Sequence, residues 1–217
     1  MKKQLIFLSI TIILFCTGQM TVNAQGKNTP QFGIKGGVNF SKLHTNDDSD
    51  SKMLAGYHIG LFGKVPVGSF FALQPEIYFT TKGAEVTYNG TFVDGTARFR
   101  FDYVEMPLLI VANITDNFNV QVGPYAAYLV SGRVRNEANI NLFNFEENIN
   151  TDDYNRVDAG LVVGIGIDFE SASAGVRYNY GLTKVGKERT FMGTMYTFPD
   201  ANNGVLNFYL AVPLVRN

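Results

Sequence analysis

The sequence predicts an all-β fold: an eight-stranded antiparallel up-and-down transmembrane β-barrel, preceded by a cleaved signal peptide. Three observations lead there. Segment after segment alternates apolar residues with small, polar or charged ones at a period of two, the spacing of a strand whose two faces meet different surroundings. Eight such segments follow one another, with connections that run long, short, long, short, long, short, long. On each, an almost uninterrupted apolar face stands opposite a face of glycines and charges, as expected of a lipid-facing wall around a narrow polar bore.

The chain begins with MKKQLIFLSITIILFCTGQMTVNAQ: two lysines, an apolar run from Leu5 to Cys16, and Val22-Asn23-Ala24 as a small-residue cleavage signal. Such a run is within the range of a secretory signal and well short of the ~20 residues of a spanning helix. Cleavage between Ala24 and Gln25 divides the chain into a signal at 1–24 and a barrel domain at 25–217. Phe15 before Cys16 is too bulky for a lipoprotein signal, and Cys16 is the single cysteine, so the mature domain has no disulfide and no thiolate metal ligand. Without Lys2 and Lys3, the 18 basic residues become 16 against 19 acidic ones, a net charge of −3 that argues against nucleic-acid binding.

The first strand, Phe32 to Ser41, sets Phe32, Ile34, Val38 and Phe40 against Gly33, Lys35, Gly37, Asn39 and Ser41. His44 to Lys52 carries three aspartates and no periodicity, hence a solvated loop, with a divalent cation as an alternative use. In the second strand Tyr57, Ile59, Leu61 and Val65 oppose His58, Gly60, Phe62 and Lys64, and in the third Phe71, Leu73, Ile77 and Phe79 oppose Ala72, Gln74, Glu76, Tyr78, Thr80 and Lys82. Pro75 removes a ladder donor, so a bulge or local distortion is expected there. Residues 83 to 96 contain Asn89-Gly90 and Asp94-Gly95, turn dipeptides suited to a hairpin extension.

The fourth strand turns Val104, Met106, Leu108, Ile110 and Ala112 outward, which also puts Arg98, Arg100 and Asp102 on the outer parity and requires that end to clear the hydrocarbon layer. In the fifth, Val120, Val122, Pro124, Ala126, Tyr128 and Val130 face out, with Gln121, Gly123, Tyr125, Ala127, Leu129, Ser131 and Arg133 facing in. A long Asn-rich loop over 135–155 follows. Residues 156–182 are two strands in succession, Val157, Leu161, Val163, Ile165 and Ile167 and then Val176, Tyr178, Tyr180 and Leu182 outward, around the turn 170–173. After a loop over 184–203, the last strand directs Leu206, Phe208, Leu210, Val212 and Leu214 outward.

A soluble lipocalin-like barrel also alternates, but keeps its apolar side chains inside around a ligand. Here that would force Phe, Ile, Leu, Val and Tyr from all eight strands into a bore just wide enough for side chains, while lipid sets no such limit. A soluble periplasmic ligand-binding barrel is therefore the alternative reading, discriminated by solubility without detergent.

The motifs also carry a resemblance. Phe32-Gly33-Ile34-Lys35-Gly36-Gly37-Val38-Asn39, Leu73-Gln74-Pro75-Glu76-Ile77, Tyr103-Val104-Glu105-Met106-Pro107-Leu108-Leu109, Gly123-Pro124-Tyr125, Asp158-Ala159-Gly160 and Arg177-Tyr178-Asn179-Tyr180-Gly181-Leu182 span the mature chain. With them the chain resembles the Bacteroidetes-type outer-membrane β-barrel domain of PorT-like proteins. The resemblance implies an integral outer-membrane barrel, without assigning an activity, and the even strand number returns both termini to the periplasm. The end Pro213-Leu214-Val215-Arg216-Asn217 departs from the aromatic final residue of many outer-membrane barrels.

Glu76 and Glu105 are inward carboxylates, the raw material of acid/base chemistry. Yet polar groups that fill a small barrel need partners. The expectation is a structural lumen network of Lys35, Lys64, Glu76, Glu105, Arg133, Asp158, Asp168 and Arg177. No catalytic, cofactor or metal residue is expected: His44 and His58 have no ligand spacing, and Gly164-Ile165-Gly166 lacks the third glycine and the helix of a dinucleotide site. The leading reading is a small non-enzymatic barrel with a plugged polar lumen and a structural, surface-contact or complex-assembly role. Its partners would be outer-membrane lipid, the barrel-assembly machinery and other envelope proteins met through the extracellular loops. An outer-membrane enzyme with a rim site, using Ser41, Asp47, Asp48 or Glu146, is the further alternative.

Overall fold

The computed structural model describes residues 29–45, 51–89, 94–138, 145–148, 154–186, 188–191, 194–197 and 201–216. Eight long strands form the wall: β1 (Gln31–Thr45), β2 (Leu54–Pro66), β3 (Phe71–Asn89), β4 (Asp94–Asn113), β5 (Phe118–Ala138), β6 (Val157–Asp168), β7 (Ser173–Lys184) and β8 (Ala201–Arg216). Each pairs antiparallel with its neighbours in sequence, and β1 pairs with β8 from Gln31↔Arg216 to Thr45↔Ala201, so the sheet closes. Closure gives every strand two partners, which in a bilayer is the only way a sheet leaves no backbone edge in lipid.

Three short turns lie at one end. In the first, Gly68 takes φ 90°, a conformation that favours glycine, while Val67 N donates to Phe71 O at 2.7 Å. In the second, Thr115 Oγ1 accepts from the backbone N of Asn117 and of Phe118 at 3.3 and 3.0 Å. The third is closed by Phe169 N donating to Ala172 O at 2.8 Å. The opposite end is taller: β3, β4 and β5 run 19, 20 and 21 residues against 12 for β6 and for β7, so one side of the wall rises well above the other. There Ser51–Lys52 pairs with β3, Phe145–Asn148 pairs with β5, and Glu188–Phe191 with Thr194–Thr197 forms a separate hairpin. The turn dipeptides in 83–96 do mark a hairpin extension, since β3 and β4 stay paired up to Asn89↔Asp94.

The apolar face is outside. Ile165 is 49 % and Leu210 64 % exposed, while Glu76 and Arg177 are 6 % and 3 % exposed. This is the reverse of a lipocalin and removes the soluble ligand-binding barrel. At Pro75 the ladder between β2 and β3 lapses over Gly63-Lys64 and Gln74-Pro75 and resumes in the same register, a local distortion without a bulge.

A bulge does occur where the sequence signalled none. Between β4 and β5 the register steps from Asp102↔Ser131 to Tyr103↔Leu129, leaving Val130 as an extra residue. A single inserted residue inverts the facing of everything beyond it. Arg133, expected in the lumen, is therefore exposed on the outer side, and Gly132 and Asn136 are buried instead. Arg98, Arg100 and Asp102 keep the outer parity. Asp102 is buried between Thr81 and Ser131, whose hydroxyls donate to it at 3.0 and 2.8 Å.

Candidate functional site

Among the described residues the interior concentrates chemistry-bearing side chains, and strand parity delivers them there. It is organised in tiers. Near the short turns Lys64 of β2 meets Asp168 of β6 at 2.8 Å, and Asp168 also accepts from Asn119 Nδ2 at 3.0 Å and Ser173 Oγ at 2.6 Å.

The next tier centres on Glu76 of β3, whose side chain is fully buried. Lys35 Nζ donates to it at 3.1 Å, Arg177 sends Nη1 and Nη2 at 2.7 and 3.0 Å, and Gln74 Nε2 donates at 2.6 Å. The paired guanidinium donors form the planar fork that binds a carboxylate most strongly. Arg177 Nε goes to Gln121 Oε1 at 2.5 Å, and Gln121 in turn donates to Tyr209 Oη at 2.8 Å. The Tyr209 ring lies 3.8 Å from Lys35 Nζ and 4.7 Å from Arg177 Cζ, measured to its centroid, so two cations pack against one aromatic ring. Space for that ring comes from Gly166 and Gly175, which pair across β6 and β7. A Cβ at either would meet Tyr209 Oη, at 2.8 and 2.5 Å.

Above this, Glu105 of β4 accepts from Tyr78 Oη at 2.5 Å and Asn179 Nδ2 at 2.6 Å. Lys82 of β3 bridges Glu105 at 2.6 Å and Asp158 of β6 at 2.9 Å. Asp158 is further held by Thr183, Asn203 and Tyr125. Toward the long loops the filling turns apolar, with Leu43, Ala84, Phe101, Tyr103, Leu129, Val162, Val185 and Ala201 packed together. The lumen is thus polar in its lower and middle tiers and greasy at the top, which the expectation of a polar bore did not include.

Seven of the eight residues expected in the network converge on it: Lys35, Lys64, Glu76, Glu105, Asp158, Asp168 and Arg177. Arg133 does not, because of the Val130 bulge. Lys82 was missed, although its inward parity on β3 was readable. It sits beside Gly83, where the alternation breaks down, and so looked like a strand end. Among the described residues the interior ion pairs join Lys35, Lys64, Lys82 and Arg177 to Glu76, Glu105, Asp158 and Asp168, four basic side chains and four acidic ones.

Of the residues named for a rim site, only the Ser41 side chain is described. Ser41 is buried inside the barrel, donating to Leu54 O at 3.3 Å and accepting from Gly83 N at 2.9 Å. Asp47 and Asp48 fall outside the described residues, as do Ala24 and Gln25 of the cleavage site, and the Glu146 side chain is not described. Among the described residues no group of three His, Cys, Asp or Glu is placed to hold a metal ion. His44 lies 2.8 Å from Tyr178 Oη, remote from buried His58. The lumen opens at the turn end into a vestibule of about 900 Å³ whose lining includes Lys64, Asp168 and Asp116.

A family model described as outer membrane protein beta-barrel domain matches residues 23–186. The chain belongs to that family. Solved structures that the chain is similar to include Ail, the attachment invasion locus protein of Yersinia pestis, with 13 % identity and a TM-score of 0.47 over 85 % of this chain and 98 % of that one. Neisserial surface protein A gives 13 % and 0.48 over 85 % and 98 %. OprG from Pseudomonas aeruginosa gives 13 % and 0.40 over 88 % and 97 %. No curated protein matches the sequence. The family and the closed lipid-facing barrel place the protein in the outer membrane.

Proposed function

We propose that this outer-membrane barrel is a non-enzymatic, non-conducting member of the PorT-like, Bacteroidetes-type branch, with a structural, surface-contact or complex-assembly role carried by its long-loop end. One observation carries the reading: the lumen is filled by matched ion pairs and packed apolar side chains, with Glu105 and the Lys82 side chain at 0 % and 1 % exposure. A bore built of buried, paired charges leaves no room for the water column of a porin. In this reading the signal is cleaved between Ala24 and Gln25, and the barrel-assembly machinery inserts the domain. The short turns and both termini face the periplasm, because outer-membrane barrels keep short turns there and long loops outside. Envelope proteins would be met through those loops.

Two experiments test it. In planar bilayers the purified protein is expected to give no sustained single-channel steps, and large ion-selective currents would overturn the reading. In intact cells a cysteine at Ser171, in a short turn, is expected to resist an impermeant thiol reagent while one at Glu147, exposed at the opposite end, reacts. The opposite labelling would invert the orientation.

A further inference from the structure

Among the described residues, Lys82 is the interior cation set between two carboxylates, with Glu105 Oε2 at 2.6 Å and Asp158 Oδ2 at 2.9 Å. Lys35 meets Glu76, both of whose oxygens the Arg177 fork already holds, and Lys64 meets Asp168 where both side chains are partly exposed at the vestibule. The Lys82, Glu105 and Asp158 side chains are 1, 0 and 4 % exposed. The Tyr103 and Tyr125 rings stand 5.1 and 4.6 Å from Lys82 Nζ, and both belong to the apolar cluster that fills the lumen toward the long loops. An amine and a carboxyl condense to an amide when they are held in contact and water is kept away. Contact supplies the effective concentration, and a dry site removes the reagent that would reverse the bond.

The two acids differ in their surroundings. Asp158 Oδ1 accepts from Thr183 Oγ1 at 3.0 Å, with Tyr125 Oη 3.3 Å away, and Oδ2 accepts from Asn203 Nδ2 at 3.0 Å. Thr183 Oγ1 itself accepts from Ala159 N at 3.0 Å, so its hydrogen is directed at Asp158. Neutral donors on Oδ1 are placed to stabilise the charge that builds there when Cγ is attacked. On Glu105, Tyr78 and Asn179 donate to Oε1, and Oε2 is turned to Lys82, where it can take a proton from Nζ.

We propose that Lys82 and Asp158 condense once the barrel has closed, forming an amide that staples β3 to β6 across the lumen. The Nζ–Cγ bond forms and the Cγ–Oδ2 bond breaks. Of the three ammonium protons one stays on the amide nitrogen, and the other two, relayed through Glu105, leave with Oδ2 as water. One positive and one negative charge are consumed together, so the net charge of the lumen is unchanged and no oxidant or co-reactant is needed. The link joins positions 76 apart in the chain, within residues 25–217, which hold no cysteine.

The test is a peptide map of protein purified from membranes, unfolded in guanidinium chloride and digested with trypsin. Peptides 65–98 and 157–177 are expected to appear joined and one water lighter than their sum, with the branch at Lys82 and Asp158. Cleavage after Lys82, giving 65–82 and 83–98, overturns the proposal, and so does a branch from Lys82 to Glu105 in peptide 101–133. Chain kept unfolded from the start is expected to give the cleaved pair and to acquire the branch with time after refolding into detergent. A branch in the never-folded chain overturns the role of the lumen. Glu105→Gln, similar in shape but unable to take the proton, is expected to form the link roughly a hundredfold more slowly while keeping the heat-modifiable band. An undiminished rate overturns the relay. Should that variant fail to fold, the wild-type map decides alone.

Discussion

Glu105, fully buried, accepts from two neutral donors and pairs with the Lys82 ammonium. Removing it leaves Tyr78 and Asn179 without their acceptor and leaves Lys82 with Asp158 alone. Breaking a buried charge pair by deleting one partner costs about 3 to 5 kcal/mol, so Glu105→Ala is expected to lower the unfolding midpoint sharply in detergent or urea titrations. An unchanged midpoint would remove the network from the account of stability. Lys82→Met, which deletes the cation that both Glu105 and Asp158 share, is expected to behave the same way. The glycines make a complementary case. Gly175→Leu would drive a side chain into Tyr209 and disturb the cations resting on its ring, at a cost of about 1 to 3 kcal/mol for overpacking. The inner carboxylates and most of their cations were legible because parity is simple arithmetic on a strand. Which cation meets which anion was not. Arg177 and Glu76 are 101 residues apart, and only the closed wall brings them together.

Among the elements, β6 shows how sharply the two faces differ, since Val162 is fully buried and Val163 is 51 % exposed. Near the strand's midpoint, Val163→Arg would place a charge in hydrocarbon at about 2 to 4 kcal/mol. It is expected to reduce the folded fraction in vesicle refolding assays far more than Val163→Leu does. The bulge in β5 is the counter-example. Val130 is an ordinary outward valine in an unbroken alternation, with no adjacent proline or glycine to announce an extra residue, so reading parity straight through it sent Arg133 into the lumen. Deleting Val130 would remove the extra residue and let Ser131 follow Leu129 in the register already present, so Arg133 and Arg135 keep the outer face. Barrel assembly from that variant is expected to persist, scored by retention of the heat-modifiable band.

At the scale of the whole molecule, the alternation of long and short connections was enough to give strand number, pairing order and closure, because antiparallel neighbours joined by tight turns leave little topological choice. The height difference between the two sides of the wall was less visible. The extensions of β3, β4 and β5 pass through stretches whose outward residues are charged or small, a pattern that resembles loop until the partner strand is known.

The sequence distance between ionic partners has a bearing on how the barrel is made. Lys35 lies 41 residues from Glu76, Lys82 lies 76 from Asp158, and Lys64 lies 104 from Asp168. A sheet stopped after β5 would hold Lys82 without Asp158, Lys64 without Asp168 and Glu76 without its arginine, all turned toward acyl chains. Half-built intermediates are therefore expected to be poorly housed in the bilayer, since the ionic core is complete only once β6 and β7 have joined the wall.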